Sequence, residues 1–279
     1  MFRYGILRKN RKGSQFMTKT ATCSYQPLLK VKNLSKFFGR TIGCRDINLD
    51  LARGEVVGVV GESGSGKSTL LKCVAGKIRP TNGEIYFDSS YGLIDLCRAD
   101  ELTLRKIART QTGFVTQNSM DGLRMNISAG GNIGERLMAG GMRNYDRIRA
   151  IAVKWLERVE IDKSRIDDLP STFSGGMQQR LQIAANLVTE PRIILMDEPT
   201  SGLDVSVQAR LIDVLKKLVE KLELSMILVT HDLAVARMLC HRLYVMKDGK
   251  IVESGLSDQI LDNPDQPYTQ LLVSSVLKP

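Results

Sequence analysis

The chain has 279 residues, 43% of them hydrophobic and 25% charged, which is the composition of an ordinary soluble globular protein with one large domain or two modest ones. No apolar run approaches the length of a membrane-spanning helix, and the five cysteines lack any CxxC spacing. The composition therefore argues against direct membrane insertion, a disulfide framework and a zinc site, and it predicts reduced thiols in a cytoplasmic protein.

The formal charge of +10 is unevenly placed along the chain. Residues 1–27 contain six basic residues and no acid, which leaves +4 for the remainder and argues against nucleic acid as a partner. We predict that these residues form a disordered basic arm, in a chain that could equally start at Met17. The alternative is an arm that touches RNA or an acidic partner. The six basic residues of residues 1–27 are Arg3, Arg8, Lys9, Arg11, Lys12 and Lys19.

The first predicted element is an antiparallel ribbon. Apolar residues alternate with polar ones in residues 28–34 and again in 47–51, with a turn at Gly39 between the two runs. Phe37 and Phe38 lie next to this turn. Phe38, beside the glycine, could stack on a purine, because aromatic faces stack on any base. The alternative is a hydrophobic plug under the sheet edge.

A glycine-rich segment then follows the apolar run 56–60 and fills every required position of a phosphate-binding loop, with an apolar helix start after it. Glycines let consecutive backbone N–H groups turn inward, and the following helix adds the positive end of its dipole. Lys67 is predicted to reach the outer phosphates of a nucleotide, and Ser68 to ligate Mg²⁺. The predicted nucleotide-binding residues here are Gly61, Ser63, Gly64, Ser65, Gly66, Lys67, Ser68 and Thr69.

Beyond the loop, the patterns change from strands to helices and back. A turn is predicted at 80–83 and strands at 84–87 and 113–116, whereas the polar stretch 88–110 carries no clear pattern. Apolar residues in 118–190 recur at three- and four-residue intervals, which predicts an all-helical insert between two strands of the sheet.

The last third of the chain alternates strands and helices. Strands are predicted at 193–196 and 225–229 with a helix at 207–222 between them, followed by an Asp-Gly hairpin at 247–250 and a closing helix at 267–273. Such alternation predicts a parallel sheet covered by helices, with ligand groups at the carboxyl ends of the strands.

Four polar residues directly follow predicted strands, so one edge of the sheet can collect them. Asp197 is predicted to hold Mg²⁺, and Glu198 to act as the general base toward water. Gln117 would touch the metal or the lytic water, and His231 would donate to the outer phosphate. Alone, each residue is more often structural. The phosphate-binding loop upstream favours the functional interpretation.

Five features of the chain together resemble the nucleotide-binding domain of ATP-binding-cassette ATPases. They are the phosphate-binding loop, the sequence Phe173-Ser174-Gly175-Gly176, the strand before Glu198, the sequence Ser201-Gly202-Leu203-Asp204 and His231. The resemblance covers residues 28–254, with 28–117 and 191–254 as catalytic core, 118–190 as helical subdomain and 255–279 as a short C-terminal helical tail. It implies a P-loop α/β fold of that type, with a mixed sheet core, an antiparallel β subdomain and the helical insert.

The resemblance also implies a head-to-tail dimer, formed with itself or with a related ATPase. Ser174, Gly175 and Gly176 of one subunit would close over ATP and Mg²⁺ held by the other, and Asp204 is carried over as a further nucleotide-binding residue. The chain departs from the family at Met177, where glutamine is common, which puts a side-chain contact in doubt and leaves the backbone anion site.

Within the family, segments 118–124, 128–136 and 165–170 are similar to the ATP-binding component of the phosphonate carbon-phosphorus lyase system. This similarity implies an ATPase that docks on the soluble lyase core complex and drives its conformational change. The alternative is the energy subunit of an oligopeptide, dipeptide or nickel importer, whose tail the sequence 267–272 resembles. A non-catalytic scaffold gated by ATP is disfavoured because Glu198 is present.

Overall fold

The structure is a computed structural model, and it describes residues 26–276 of the chain. The basic arm predicted at 1–27 lies outside the described residues except for its last two positions. Among the residues that are described, none of the helices combines the length and apolarity needed to cross a membrane.

Ten strands occur within residues 26–276. In chain order they are β1 (Leu29–Phe38), β2 (Thr41–Leu51), β3 (Val56–Val60), β4 (Asn82–Ser89), β5 (Gly92–Asp95), β6 (Thr112–Val115), β7 (Ile193–Asp197), β8 (Met226–Thr230), β9 (Arg242–Lys247) and β10 (Lys250–Leu256).

The helices of the same residues are α1 (Lys67–Val74), α2 (Glu101–Thr110), α3 (Ser119–Gly122), α4 (Ala129–Ala139), α5 (Tyr145–Arg158), α6 (Gly175–Leu187), α7 (Val205–Leu222), α8 (Leu233–Leu239), α9 (Ser257–Asp262) and α10 (Pro267–Val276). Two short 3₁₀ segments, Lys163–Asp167 and Pro170–Thr172, precede α6.

The predicted ribbon belongs to a four-stranded antiparallel sheet with the order β2-β1-β4-β5. Its alternating burial leaves one face for the core, as the apolar pattern predicted. The turn predicted at 80–83 is too long, because Asn82 already pairs with Ser35 of β1 and begins β4. The stretch without a clear pattern contains β5 and α2.

The second sheet has six strands in the order β10-β9-β3-β8-β7-β6. All neighbours run parallel except β10, which the Asp248-Gly249 turn folds back against β9. In β3, β7 and β8 every residue is buried, because helices or the other sheet cover both faces. This mixed sheet, together with the antiparallel one, confirms the predicted α/β fold.

The side chains of the six-stranded sheet pack into two separate cores. Val57 and Val59 of β3 face the core that contains β1, β2 and α1. Val56 and Val60 of the same strand face the core built with α4 to α8. Successive side chains of a strand point to opposite faces, so the strand that leads into the phosphate-binding loop is anchored from both sides.

Residues between β6 and β7 form α3 to α6 and the two 3₁₀ segments. Ile133 of α4, Trp155 and Leu156 of α5 and Leu181 of α6 are at most 3% exposed and join the core under the sheet. Because β6 and β7 are neighbouring parallel strands, the insert is a long crossover connection that leaves the carboxyl end of β6 and enters the amino end of β7.

Candidate functional site

The glycine-rich loop joins the end of β3 to the first turn of α1, in the position predicted for a phosphate-binding loop. Gly66 caps α1 with φ 100°, a conformation that strains any residue with a Cβ. A Cβ at Gly66 would also lie 2.1 Å from the carbonyl oxygen of Gly43 in β2. The loop is therefore packed directly against the antiparallel sheet, and only glycine fits there.

Lys67 is buried, with 4% exposure, and it is held by the loop itself. Its Nζ donates to the carbonyl oxygens of Gly61 and Glu62, both at 2.7 Å. Burial lowers the pKa of Lys67, an effect opposed by the carboxylates of Glu198, Asp197 and Glu62. The two carbonyl groups thus hold the ammonium group at the centre of the loop, where its positive charge can attract an anion.

Ser68 and Asp197 meet across the site although 129 residues separate them. The Ser68 hydroxyl donates to Oδ1 of Asp197 at 2.8 Å, and burial raises the pKa of Asp197 while this hydrogen bond opposes the rise. A hydroxyl and a carboxylate are the oxygen ligands that Mg²⁺ accepts, usually together with waters and substrate phosphates. The pair fits that ion, and the rest of its coordination would come from the nucleotide.

Glu198 follows β7 with φ 46°, the left-handed region that glutamate seldom occupies. Its backbone N–H donates to the carbonyl oxygen of Val229 at 2.8 Å, which fixes it to the end of β8. Its Oε2 lies 3.1 Å from Nδ1 of His231 and 3.5 Å from Nε2 of Gln117. Such backbone strain concentrates at functional sites, where surrounding contacts hold it in place.

Gln117 also donates to the Ser201 hydroxyl at 3.2 Å, so it connects β6 to the segment after β7. His231 is 58% exposed, whereas Glu198 is 15% exposed. The four strand-end residues predicted to converge therefore lie at one edge of the sheet, with the imidazole on the solvent side and the carboxylate beneath it.

A cavity of about 340 Å³ opens over this edge. Phe38 lies at its side with 47% exposure, so its ring faces the cavity and is not a plug under the sheet. The phosphate loop, Gln117, Glu198 and the adjoining ends of β1 and β2 thus share one concave site. Its lining residues are Phe38, Thr41, Ile42, Gly43, Ser63, Gly64, Gly66, Lys67, Ser68, Thr69, Gln117 and Glu198.

A larger cavity, of about 670 Å³, lies at the opposite ends of the strands. Gly54 before β3, Ser225 before β8 and His241 before β9 line it. None of the phosphate-loop or strand-end residues belongs to its lining, and in open α/β sheets ligands bind at the carboxyl ends of the strands. The smaller cavity is therefore the candidate active site.

The segment Ser174-Gly175-Gly176 opens α6 and lines neither cavity. The Ser174 hydroxyl accepts a hydrogen bond from the Met177 N–H at 3.4 Å, as an N-cap does. Asp204 holds the N-cap position of α7 without a side-chain capping bond. The structure therefore does not bring these predicted nucleotide-binding residues to the phosphate loop of the same chain.

Arg165 braces the segment before α6. Its guanidinium lies 4.4 Å from the Phe173 ring centroid, 2.7 Å from Oδ2 of Asp168 and 3.7 Å from the Met177 sulfur. It also donates to the hydroxyl of Thr172 at 3.1 Å. Met177, the departure from the common glutamine, is thus in contact with a positively charged group.

Comparison with known proteins agrees with this geometry. The family described as "ABC transporter" matches residues 44–201, more than half of the chain. The chain belongs to the ATP-binding-cassette ATPase family. It is accordingly an enzyme that binds and hydrolyses ATP.

Among relatives of this cassette ATPase, the "Putative phosphonates utilization ATP-binding protein PhnK" of Escherichia coli (strain K12) is 59% identical over 91% of this chain and 99% of the relative. The "Dipeptide transport ATP-binding protein DppD" of Bacillus subtilis (strain 168) is 35% identical over 90% of this chain and 77% of the relative. Among solved structures, a dimeric post-hydrolysis state of the ATP-binding cassette MJ0796 bound to ADP and Pi has a TM-score of 0.74 and 34% identity, over 82% of this chain and 98% of that chain.

Some residues of the site were missed from the sequence. Thr41, Ile42 and Gly43 line the cavity because β2 pairs with β1 and passes beside the phosphate loop. No motif marks them. Arg165 lies in the segment 165–170, whose only signal in the sequence is its similarity to the phosphonate-system ATPases, and its contacts with the α6 N-terminus depend on the tertiary structure.

Proposed function

We propose that this cassette ATPase is the ATP-hydrolysing subunit of a phosphonate-utilisation system, where it couples ATP binding and hydrolysis to conformational change in a soluble carbon-phosphorus lyase core complex. The observation that carries the proposal is a complete set of phosphate-loop and strand-end groups in a chain 59% identical to a phosphonate-utilisation ATP-binding protein. The cytoplasm, as predicted from the cysteines, is the proposed compartment.

Within the site, we assign each group one task. Lys67 and the loop N–H groups bind the phosphates of ATP, and Phe38 stacks on the adenine. Ser68, Asp197 and Gln117 hold Mg²⁺, which when bound neutralises developing charge on the phosphates. Glu198 accepts the proton of the attacking water, because its Oε2 is an acceptor at the rim of the cavity. His231 orients that carboxylate and donates to the outer phosphate.

A second subunit completes the site in this proposal. Two observations support it: the α6 N-terminus, with Ser174, Gly175 and Gly176, lines no part of the cavity in its own chain, and the similar MJ0796 cassette was solved as a dimer. The N–H groups at a helix start, together with the helix dipole, attract anions. Head-to-tail pairing would bring this N-terminus, and Asp204, to the ATP of the partner subunit.

Two measurements test the proposed function. Purified protein should release phosphate from ATP in the presence of Mg²⁺, and chelation of Mg²⁺ should abolish the release. Affinity-tagged protein from cells growing on a phosphonate as phosphorus source should carry soluble lyase subunits. Recovery of a hydrophobic permease in their place would contradict the proposed partner and leave the ATPase assignment standing.

The second candidate is the energy subunit of a peptide importer. The 35% identity to a dipeptide transport ATP-binding protein favours it, as does the resemblance of the sequence 267–272 to the tail of such importers. The identity of 59% to the phosphonate-utilisation protein over nearly its whole length favours the first candidate. The same purification discriminates between them, because an importer subunit would be recovered with a permease.

A further inference from the structure

The C-terminal helix reaches the phosphate-binding loop. Tyr268, in the first turn of α10, places its hydroxyl oxygen 3.3 Å from the backbone N of Glu62, which donates the hydrogen bond. The contact spans 206 positions of the chain. It joins the second residue of the loop to the last helix of the described residues.

This hydrogen bond and the Lys67 contact act on the same peptide unit. The N–H of Glu62 and the carbonyl of Gly61 belong to one planar group, so they point in opposite directions. Tyr268 holds the N–H side, while Nζ of Lys67 binds the Gly61 oxygen at 2.7 Å on the other side. A rotation of this peptide would move the carbonyl that holds the ammonium group, and Tyr268 opposes that rotation.

Tyr268 is itself held in place by two further contacts. Nζ of Lys247, at the end of β9, lies 4.7 Å from the centroid of its ring. The carboxylate of Glu253 in β10 accepts from the backbone N–H groups of Asp265 and Gln266, at 2.8 and 3.2 Å, directly before α10. The hairpin of β9 and β10 therefore fixes the start of the helix that carries the tyrosine.

The same hairpin contacts the loop directly. The Gly249 N–H at its turn donates to the carbonyl oxygen of Ser65 at 3.1 Å. Hairpin and α10 thus hold the loop at two points, Ser65 and Glu62, neither of which lines the cavity. The loop residues that do line it, Ser63, Gly64 and Gly66, are not engaged by these two contacts.

We propose that Tyr268 is a positioning residue of the ATP site: its hydroxyl fixes the Gly61–Glu62 peptide and, through the Gly61 carbonyl, the location of Lys67 before ATP arrives. The inference rests on the proposed role of the loop in holding ATP, and it adds α10 to the machinery of binding. A preformed loop lowers the cost of ordering the site when the nucleotide binds.

The test is Tyr268→Phe, which removes the hydroxyl and keeps the ring that packs near Lys247. The KM for ATP should rise about fivefold with kcat within about twofold of wild type, because one hydrogen bond that preorganises binding is lost. Tyr86→Phe is the matched control, since the Tyr86 hydroxyl donates to Glu84 at 2.9 Å in the antiparallel sheet. It should leave both constants unchanged.

A second measurement separates positioning from a general loss of structure. Without nucleotide, amide hydrogen exchange in the loop should be faster in Tyr268→Phe than in Tyr86→Phe, whereas exchange in α5 should be the same in both. Glu253→Gln, which weakens the anchoring of α10, should raise the KM for ATP in the same direction by a smaller factor. If Tyr268→Phe does not fold, the KM of Glu253→Gln for ATP is the measurement that tests the proposal.

The outcomes are distinct. Unchanged KM and unchanged loop exchange in Tyr268→Phe, with an active wild type, would overturn the role of Tyr268 and leave the ATPase function intact. A lower kcat at constant KM would mean only a smaller active fraction, and it would also overturn the role. A wild type that neither binds nor hydrolyses ATP would overturn the proposed function together with this inference.

Discussion

Two helices of the protein begin beside glycines, and they differ in what surrounds their first turn. The N-terminus of α1 follows the phosphate loop and opens into a cavity that also contains Gln117 and Glu198. The N-terminus of α6 is capped by Ser174 and braced by Arg165, and it does not line the cavity that contains Gln117 and Glu198.

The comparison shows that a helix N-terminus able to bind an anion forms a complete site only where side chains from other elements surround it. At α1 the helix itself provides the buried ammonium group of Lys67 and the hydroxyl of Ser68, and the carboxyl end of β7 adds Asp197 and the candidate base Glu198. At α6 only the backbone and a hydroxyl are available. We therefore expect α1 to bind ATP within one subunit, and α6 to contribute only when a second subunit presents the nucleotide.

The largest effect is expected for Glu198→Gln. ATP turnover should fall about a thousandfold, because the amide cannot accept the proton of the attacking water. ATP binding should persist, and with ATP present the variant should accumulate as a dimer in size-exclusion chromatography. The exposed carboxylate in Glu157→Gln provides a control that should retain turnover. Undiminished turnover in Glu198→Gln would contradict its assignment as the base.

Lys67→Ala tests the expectation that the loop at α1 binds ATP within one subunit. The affinity for ATP should fall about a hundredfold, since a buried charge-assisted contact with the phosphates is lost. A nucleotide titration measures this, with Lys154→Ala on the exposed face of α5 as control. Near-normal affinity would show that the loop N–H groups bind ATP without the lysine.

A mixing experiment tests the expectation that the α6 N-terminus acts on the ATP held by a second subunit. Ser174→Arg blocks the α6 N-terminus but leaves the loop, so this variant should bind ATP and fail to hydrolyse it. Mixed with Lys67→Ala, it should recover as much as about a quarter of wild-type turnover, because half of the dimers would be mixed and each would have one intact site of two. Absence of any recovery would argue against a site shared between subunits.

The smallest effect is expected for Arg165→Lys. The lysine keeps the charge but loses the planar contact with Phe173 and the fork that reaches Asp168 and Thr172. Turnover should fall about fivefold while ATP affinity of the single subunit stays constant, because only the α6 N-terminus is displaced. Arg149→Lys, in an exposed pair with Asp167, is the matched control. A changed affinity for ATP would mean that Arg165 acts on the phosphate-binding loop at α1 and not only on the α6 N-terminus.

Most of the catalytic edge could be predicted because its residues follow apolar strands. Each of Lys67, Asp197 and His231 lies within a few residues of a buried strand whose pattern is visible in the sequence. The polar stretch 88–110 could not be assigned, since β5 is short and partly exposed and α2 buries only Ile107. Elements with so little burial carry few large apolar residues, so the stretch as a whole is polar and is not recognisable as a strand or a buried helix.

The strand ends and the phosphate loop can be located from the sequence, because glycine conformations, strand periodicity and helix starts are local properties of the chain. Which distant groups meet depends on the tertiary structure. Ser68 reaches Asp197, Tyr268 reaches Glu62 and Gly43 approaches Gly66 through the order of strands and the packing of two sheets. Such contacts depend on how elements pack, which local patterns do not encode.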